Sequence, residues 1–356
     1  MRIVHAVYAL EMGGMEVVVS QLCHIQREQG HDVTIFSYAG LGVIGDRLLA
    51  DGFRVYVPGV AHPLRTMLRY FRMFCEIRPD VVHSHGIAPA VHASISARLA
   101  GVRSVISTRH RVEYHPYNRS AERRFNVMGW FCHWVTGICE VTCEGVRSGP
   151  LARKEKIVRV YNGIEAVIPA SFESFKKQGF TILFVGRLVP EKALDTLIRA
   201  IAVAAEELLD VSLWIVGDGR SRKELETLVI NLHISDRVRF WGQQIDTSPF
   251  FTAADLFAMS SISEGLPIAL LQAMSVGVPS VVTDVEGMGE IIRLTDSGLL
   301  VPAGDAEAMA KAFARLAQDS TLRSLLSKRA KSAYEQYFTL SRMAAGYMER
   351  YLPCRD

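Results

Sequence analysis

The stretch SSISEGLPIALLQAMSVGVPSVVTD, residues 260–284, decides the fold. It begins at the end of the apolar run DLFAMSS, which predicts a buried strand, and passes through Glu264 and Gly265 into a predicted helix with Pro267 at its first position. A Gly-Val-Pro turn then leads into a second predicted strand, Ser280–Thr283. A helix that starts directly after a parallel strand points its free N–H groups at the carboxyl edge of the sheet. The stretch therefore predicts an α/β fold with a site for a phosphorylated ligand.

Glu264 is the unusual residue in this segment, because a carboxylate at the mouth of an anion site repels phosphate. Its expected partner is a polar group or a developing positive charge beside the phosphate, such as a sugar. The expected phosphate contacts are the backbone N–H groups at Leu266 and next to Pro267. The segment thus indicates a ligand that carries both phosphate and sugar.

Predicted strands and helices alternate along the whole chain. The strands predicted in the first half are Ile3–Tyr8, Val33–Ser37, Arg54–Val57, Val81–His83, Ser104–Ser107, Trp134–Ile138 and Ile157–Val160. The pattern restarts in the second half with Thr181–Val185, Ser212–Val216, Val238–Trp241, Leu256–Met259 and Ser280–Thr283. Residues 165–178 lack periodicity and predict a linker, placed at 167–178. This layout predicts two tandem doubly wound, Rossmann-like domains with a cleft between them.

Composition agrees with two domains but leaves the partner open. A chain of 356 residues with 49% hydrophobic content is long enough for two domains of ordinary size. Residues 1–178 hold 22 Lys and Arg against 15 Asp and Glu, whereas the remainder holds 18 against 22. A basic first half suits an anionic membrane surface or a phosphorylated substrate, and it equally suits ordinary variation between two domain surfaces.

Several classes of protein are not supported by the sequence. The six cysteines are scattered and complete no zinc pattern, which predicts reduced thiols and a cytoplasmic protein. The chain contains no uncharged run of 18 apolar residues, so we expect no spanning helix. Gly13 and Gly14 lack the third glycine of a nicotinamide-binding fingerprint. The basic residues accompany no nucleic-acid-binding module, so we expect no nucleic-acid partner.

A series of short motifs carries a family resemblance. In chain order they are GGMEVVVSQL at 13–22, DVVHSHG at 80–86, STRH at 107–110, VYNGIE at 160–165, FVGRLVPEKALDTLIRA at 184–200, LWIVGDGR at 213–220, the Glu264 segment, and GLLVPAGD at 298–305. Together they resemble the retaining GT-B glycosyltransferases, in particular glycosyltransferase family 4 (group 1 glycosyltransferases). The resemblance implies an acceptor-side domain of residues 1–166 with 340–356, whose last helix crosses back to it, and a donor-binding domain of residues 179–339.

Arg187 and Lys192 lie five residues apart on the loop after the first strand of the second domain. A nucleotide-sugar donor gains negative charge on its diphosphate as the sugar leaves, and two fixed cations stabilise that charge. The resemblance assigns pyrophosphate binding to these two residues. Because the chain has no Asp-x-Asp element, we expect a metal-independent reaction without a cofactor. Relatives commonly carry glycine where this chain has Ala193, a change that we expect to matter little.

The first domain offers His110, which ends the predicted strand STRH. The resemblance directs this histidine at the transferred sugar, where a neutral imidazole can donate a hydrogen bond to a hydroxyl or help to stabilise an oxocarbenium-like transition state. His83, His85 and Arg109 are candidates for the acceptor side. Each of these histidines also suits a hydrogen-bonded place in the wall of the cleft.

Further donor contacts are expected at strand ends, where glycines allow a close approach of the backbone. They are Gly13, Gly14, Asn162, Gly186, Gly217, Asp218 and Gly265, although the glycines also suit plain turns. Gln272 occupies the position where relatives typically have a second glutamate, eight residues after the first, that accepts hydrogen bonds from the ribose. An amide there should weaken the ribose contact by ~1–2 kcal/mol.

Two basic stretches bear on the acceptor. Residues 64–74, LRTMLRYFRMF, place arginines at helical spacing among apolar residues, and residues 115–134 add arginines, Phe125 and two tryptophans. Such a helix can lie on an anionic bilayer and reach a lipid-linked acceptor, or it can cover a sheet and expose its arginines to water. We leave both alternatives open, and with them peripheral association with the inner face of the membrane.

The sequence therefore predicts a retaining glycosyltransferase that moves a sugar from a nucleotide-diphosphate sugar to a saccharide or lipid-linked acceptor. A UDP-sugar is favoured over a GDP-sugar, and the expected role is in bacterial cell-surface polysaccharide or glycolipid synthesis. A catalytically silent nucleotide-sugar binding protein and a nucleotide-sugar epimerase on the same fold are the alternatives. The sequence does not define the sugar, the linkage or the oligomeric state.

Overall fold

A computed structural model describes residues 1–59, 62–111, 119–170, 179–208 and 210–351 of the chain. The chain forms two compact units. The first holds Met1–Glu165 together with the C-terminal segment that begins at Thr339, and the second holds Ala166–Phe338. Most of the predicted linker, residues 171–178, lies outside the described residues.

The first unit is built on a sheet of seven parallel strands. These are β1 (Arg2–Val7), β2 (Asp32–Ser37), β3 (Arg54–Tyr56), β4 (Val81–His85), β5 (Ser104–Arg109), β6 (Trp134–Gly137) and β7 (Ile157–Arg159). Their order across the sheet is β3-β2-β1-β4-β5-β6-β7. The helices are α1 (Gly14–Glu28), α2 (Gly42–Ala50), α3 (Pro63–Ile77), α4 (Ile87–Leu99), α5 (Arg119–Gly129) and α6 (Glu140–Ser148). The central strands are buried along almost their whole length, as expected where helices cover both faces of a parallel sheet.

The second unit repeats the arrangement with six parallel strands. These are β8 (Phe180–Val185), β9 (Val211–Val216), β10 (Val238–Gly242), β11 (Leu256–Met259), β12 (Ser280–Thr283) and β13 (Gly298–Val301), in the order β10-β9-β8-β11-β12-β13. The helices are α7 (Leu194–Glu207), α8 (Arg222–Asn231), α9 (Ser248–Ala253), α10 (Ile268–Ser275), α11 (Glu286–Thr295), α12 (Ala306–Gln318) and α13 (Ser320–Ala333). This is the strand order of a doubly wound dinucleotide-binding fold, in which ligands bind beyond the carboxyl ends of the strands.

The last helix, α14 (Leu340–Tyr351), belongs to the first unit and packs against α1 and β5. Thr339 pairs with Ile164, and a Cβ on Gly163 would lie 2.2 Å from the carbonyl oxygen of Thr339. Only glycine therefore fits at the point where the returning chain crosses residues 163–164.

The predicted pair of doubly wound sheets is confirmed, with two differences. Strand β13 was not predicted, because its four residues GLLV begin with glycine, which is depleted in strands. Pro267 precedes the first helical residue, Ile268, and has the extended backbone of an N-cap residue, so the predicted start of the helix is wrong by one position. Among the described residues, no helix combines the length and apolar character needed to cross a membrane.

Candidate functional site

Two loops of the second unit are joined at the carboxyl edge of its sheet. One follows β8 and carries Lys192, and the other follows the neighbouring strand β11. The hydroxyl of Ser260 donates to the carbonyl oxygens of Lys192 at 2.9 Å and Ala193 at 2.8 Å. The backbone N–H of Ile262 donates to the carbonyl oxygen of Glu191 at 3.0 Å. These bonds fix the position of the predicted cation relative to the predicted carboxylate.

Lys192 and Glu264 form an ion pair across the two loops. Their side chains are only 16% and 14% exposed, and the hydroxyl of Ser261 donates to the same carboxylate at 3.0 Å. An ammonium group beside the carboxylate offsets its repulsion of an incoming phosphate. The structure thus explains how an anion site accommodates Glu264.

A second carboxylate, Glu286 at the start of α11, holds the Glu264 loop from the other side. It accepts hydrogen bonds from the backbone N–H of Glu264 and, at 3.0 Å, from the hydroxyl of Ser263. The N–H of Gly287 in turn donates to the carbonyl oxygen of Glu264 at 3.3 Å. The position of Glu264 is therefore fixed by contacts with two other segments and with its own loop, which favours a preorganised site.

Helix α10 begins directly beyond this carboxylate. The first N–H groups of a helix have no acceptor inside it, so those of Ile268 and Ala269 suit an anion. Leu266 is buried under the loop, whereas Gly265 is only partly buried. Gln272 lies in the second turn of the helix and is partly buried.

Arg187 extends from the same loop as Lys192 and is exposed. Among the described residues, no side chain forms an ion pair with it. The two cations therefore differ in their surroundings, since Lys192 is held by a carboxylate and Arg187 is open to solvent.

The glycines at the ends of β8 and β9 allow close contact between the two loops. Gly217 has a φ of 135°, and a Cβ there would lie 1.9 Å from the carbonyl oxygen of Gly186. The carboxylate of Asp218 accepts hydrogen bonds from the N–H of Gly219 at 2.7 Å and from Arg222 at 2.9 Å. These bonds lower the pKa of Asp218 and give it a structural role beside the predicted donor contact.

Ala193 stands in the left-handed region, with φ 45° and ψ 45°, at the N-cap of α7. This conformation costs a residue with a Cβ roughly 1–2 kcal/mol relative to glycine. The expectation that alanine in place of glycine matters little is therefore wrong, because this backbone conformation is unfavourable for alanine. The glycine that is common in relatives suits the conformation better.

In the first unit, the predicted histidines form one buried cluster. Nδ1 of His85 lies 3.1 Å from Nε2 of His110, and the Nε2 of His85 lies 3.0 Å from Nδ1 of His5. His83 packs against His85 with 4.0 Å between ring centroids. Burial lowers the pKa of His5 to about 4 and that of His110 to about 3, and the pKa values of His83 and His85 also lie well below 6.5. All four rings are neutral at pH 7.

Arg109 has a different environment from the expected acceptor side. It is 4% exposed and forms an ion pair with Glu122 on α5, whose side chain is equally buried. A buried arginine that is already paired has little freedom to bind a substrate. The structure thus assigns Arg109 to the packing of α5 on the sheet.

The remaining predicted residues lie at carboxyl ends of strands in the first unit. Gly13 is the N-cap of α1, which begins at Gly14. Asn162 follows β7 and is 3% exposed, and its Oδ1 atom has no hydrogen-bond partner among the described residues. These positions suit a ligand contact.

Sequence reasoning missed His5, Gln26 and Ser260. His5 lies in register with His83 on the adjacent strand, and Gln26 bonds to His5 from α1. A histidine in the middle of the buried strand IVHAV was a usable signal, because a polar side chain there must find a buried partner. Nothing in the sequence distinguishes Ser260 from the other serines of its segment.

Comparisons with known proteins agree with this geometry. The family model described as Glycosyltransferase Family 4 matches residues 12–167, and the model described as Glycosyl transferases group 1 matches residues 169–333. The lipopolysaccharide core biosynthesis glycosyltransferase LpsE of Rhizobium meliloti is 38% identical over 168 residues, which cover 47% of this chain and 48% of the relative. The match thus spans about half of that relative.

Two further similarities cover most of the chain. The Escherichia coli UDP-Gal:alpha-D-GlcNAc-diphosphoundecaprenol alpha-1,3-galactosyltransferase is 25% identical over 78% of this chain and 76% of its own length. The solved structure of Anabaena Alr3699/HepE in complex with UDP superposes with a TM-score of 0.88 at 20% identity, over 98% of this chain and 99% of that one. The same protein has also been solved with UDP-glucose. The predicted family and fold are confirmed: the chain belongs to the group 1 glycosyltransferases of the family 4 type and has the GT-B fold.

Proposed function

We propose that this protein is a retaining glycosyltransferase that transfers a sugar from a UDP-sugar to a saccharide or lipid-linked acceptor in cell-surface polysaccharide or glycolipid synthesis. The observation that carries the proposal is the Lys192–Glu264 ion pair at the start of α10. It places a cation, a carboxylate and free helix N–H groups in one small region. A diphosphate bonded to a sugar matches all three.

The diphosphate is bound by Arg187, Lys192 and the first N–H groups of α10. As the bond to the sugar breaks, negative charge grows on the leaving diphosphate, and these fixed donors stabilise it. Glu264 contacts the transferred sugar, which replaces part of its interaction with Lys192. This arrangement supplies charge stabilisation from the chain's own residues, in keeping with the predicted metal-independent reaction.

The names of similar proteins support the choice of substrates. The Escherichia coli relative is named for transfer from UDP-Gal to an undecaprenyl-linked acceptor, and HepE was solved with UDP and UDP-glucose. We therefore favour a UDP-sugar donor and an acceptor carried on a lipid.

We further propose that α3 brings the first unit to an anionic membrane. Leu64 and Leu68 are 70% and 48% exposed on one face of this helix, beside exposed Arg65, Arg69 and Arg72. Two apolar side chains flanked by arginines suit the boundary between headgroups and acyl chains. In the second basic stretch, residues 112–118 and the side chain of Arg119 lie outside the described residues.

The function is tested by incubating the full chain with a panel of UDP- and GDP-sugars, with and without a lipid-linked saccharide. We expect a UDP-sugar to release UDP in the presence of the acceptor, and NMR of the product to show the anomeric configuration of the donor. Nucleotide binding without release from any donor would identify a silent binding protein. An epimerised donor sugar would identify an epimerase, and an inverted product would contradict the retaining mechanism.

A further inference from the structure

A chain of buried hydrogen bonds connects α1 to His110. Gln26 on α1 is completely buried, and its Oε1 atom lies 2.8 Å from Nε2 of His5. Nδ1 of His5 lies 3.0 Å from Nε2 of His85, and Nδ1 of His85 lies 3.1 Å from Nε2 of His110. Each ring thus contacts the next through opposite nitrogens.

The chain ends at a ring atom that has no partner. Nδ1 of His110 is buried and forms no hydrogen bond with any described residue. A buried polar atom without a partner is unfavourable unless a ligand completes it. His110 directly follows β5, at the carboxyl end of a central strand of the sheet.

The chemistry of the amide sets the direction of every bond in the chain. A neutral imidazole has one N–H donor and one acceptor nitrogen, and burial keeps these rings neutral by lowering their pKa values. The carbonyl oxygen of Gln26 only accepts, so His5 donates from Nε2 and accepts at Nδ1. His85 must then donate from Nε2 and accept at Nδ1, and His110 must donate from Nε2. The free Nδ1 of His110 is left as an acceptor.

The amide nitrogen of Gln26 joins a second set of buried hydrogen bonds. The Nε2 atom of Gln26 donates to the hydroxyl of Tyr351 at 3.2 Å, and this hydroxyl lies 2.7 Å from Nδ1 of His83. Nε2 of His83 lies 2.6 Å from the hydroxyl of Thr108. Because Tyr351 accepts from the amide, its own proton is available to His83. The returning helix α14 therefore takes part in orienting Gln26.

We propose that Gln26, acting through His5 and His85, is a positioning residue that holds His110 in its Nε2-protonated tautomer, so that Nδ1 accepts a hydrogen bond from a substrate hydroxyl. This inference rests on the proposed function for the identity of the substrate. His110 then accepts a hydrogen bond from a substrate hydroxyl, whereas one of its two expected roles was to donate one.

Metal binding is the competing explanation for the cluster. Ring nitrogens of His5, His83 and His85 lie within 4.8 Å of one another. A metal would need lone pairs that the hydrogen bonds now engage, so it would break the chain between Gln26 and His110. Tightly bound zinc at one equivalent per chain would therefore overturn the proposal.

The experiment uses the full chain labelled with ¹⁵N-histidine and long-range ¹H–¹⁵N spectra at pH 7.5, with the His110 signals assigned by their loss in His110→Ala. We expect a protonated Nε2 and an unprotonated Nδ1 on His110. In Gln26→Met, which keeps the side-chain length but removes the acceptor, we expect a mixture of tautomers. We also expect kcat to fall about tenfold with little change in KM, the loss expected for one hydrogen bond.

Gln29→Met, at the exposed C-cap of the same helix, is the control and should leave both the spectrum and kcat unchanged, because Gln29 is outside the chain of bonds. A protonated Nδ1 on wild-type His110, or an unchanged tautomer in Gln26→Met, would overturn the proposal. The spectra are recorded without substrate. A protein that shows the expected tautomer yet turns over no donor would therefore refute the proposed function and not the hydrogen-bond chain.

Discussion

At the scale of single residues, the site depends on conformations and partners that the sequence does not display. The sequence indicated Glu264 and Lys192 as opposite charges on separate loops, and the structure joins them in one ion pair. The backbone conformation of Ala193 and the ion-pair partner of Arg109 could not be predicted from the sequence. The left-handed backbone of Ala193 and the buried partner of Arg109 arise from tertiary packing, which no local pattern encodes.

Gln272 gives the sharpest prediction at this scale. Replacing it with glutamate, Gln272→Glu, should tighten binding of a UDP-sugar by ~1–2 kcal/mol, because a carboxylate accepts hydrogen bonds from ribose hydroxyls more strongly than an amide does. Isothermal titration of the donor measures the change. Gln318→Glu, on an exposed position of α12, is the control and should not alter the affinity. Unchanged affinity in Gln272→Glu would show that this position does not hold the ribose.

At the scale of elements, strands were predictable where apolar runs are buried on both faces. The first unit's β1, β4 and β5 are examples, since almost every residue in them is buried. Strand β13 at the edge of the second sheet pairs only with β12, and its two leucines are half-buried. Its sequence GLLV begins with glycine, which is depleted in strands, so it gave no comparable signal.

Helix α3 carries the element-scale prediction. The full chain should sediment with vesicles that contain anionic lipid, and the double variant Leu64→Ser/Leu68→Ser should bind them at least about tenfold more weakly, because two exposed leucines no longer enter the interface. Ile230→Ser on α8 is the control, since Ile230 is 64% exposed but lies one turn from Glu226 instead of beside arginines. Membrane contact through α3 would be contradicted if the wild-type chain bound neutral and anionic vesicles equally. It would also be contradicted if the double variant bound anionic vesicles as strongly as the wild type does.

At the scale of the whole molecule, the presence of two doubly wound domains was predictable from the restart of the alternating pattern near residue 179. The return of α14 to the first unit was predicted from the family resemblance and is confirmed, whereas the helical pattern alone does not specify which sheet an amphipathic helix covers. That return brings Tyr351 into the histidine network. The network is therefore a property of the complete chain.

Acid should weaken the folded chain through these buried histidines. Their folded pKa values lie below the value of about 6.5 in an unfolded chain, so the unfolded state binds more protons as the pH falls from 7 to 5. For each histidine with a folded pKa of about 4 or lower, the free energy of unfolding of the protein then falls by about 2 kcal/mol between pH 7 and pH 5. Urea unfolding at pH 7 and at pH 5 measures the total change in the free energy of unfolding.

Removing one histidine tests the source of that pH dependence. In His5→Gln, the fall in the free energy of unfolding between pH 7 and pH 5 should be smaller by about the contribution of one histidine. His233→Asn is the control, because His233 is exposed and asparagine tolerates its φ of 55°. An unchanged pH dependence in His5→Gln would contradict the account of the network.

The central claim is that Lys192 stabilises the diphosphate of a sugar donor beside Glu264. The most direct measurement is kcat/KM for the UDP-sugar in Lys192→Met, compared with wild type and with Lys223→Met on the exposed surface of α8. The account predicts a loss of about 100-fold or more in Lys192→Met, because a fixed donor to the developing charge is removed, and wild-type activity in Lys223→Met. Wild-type turnover in Lys192→Met would contradict it.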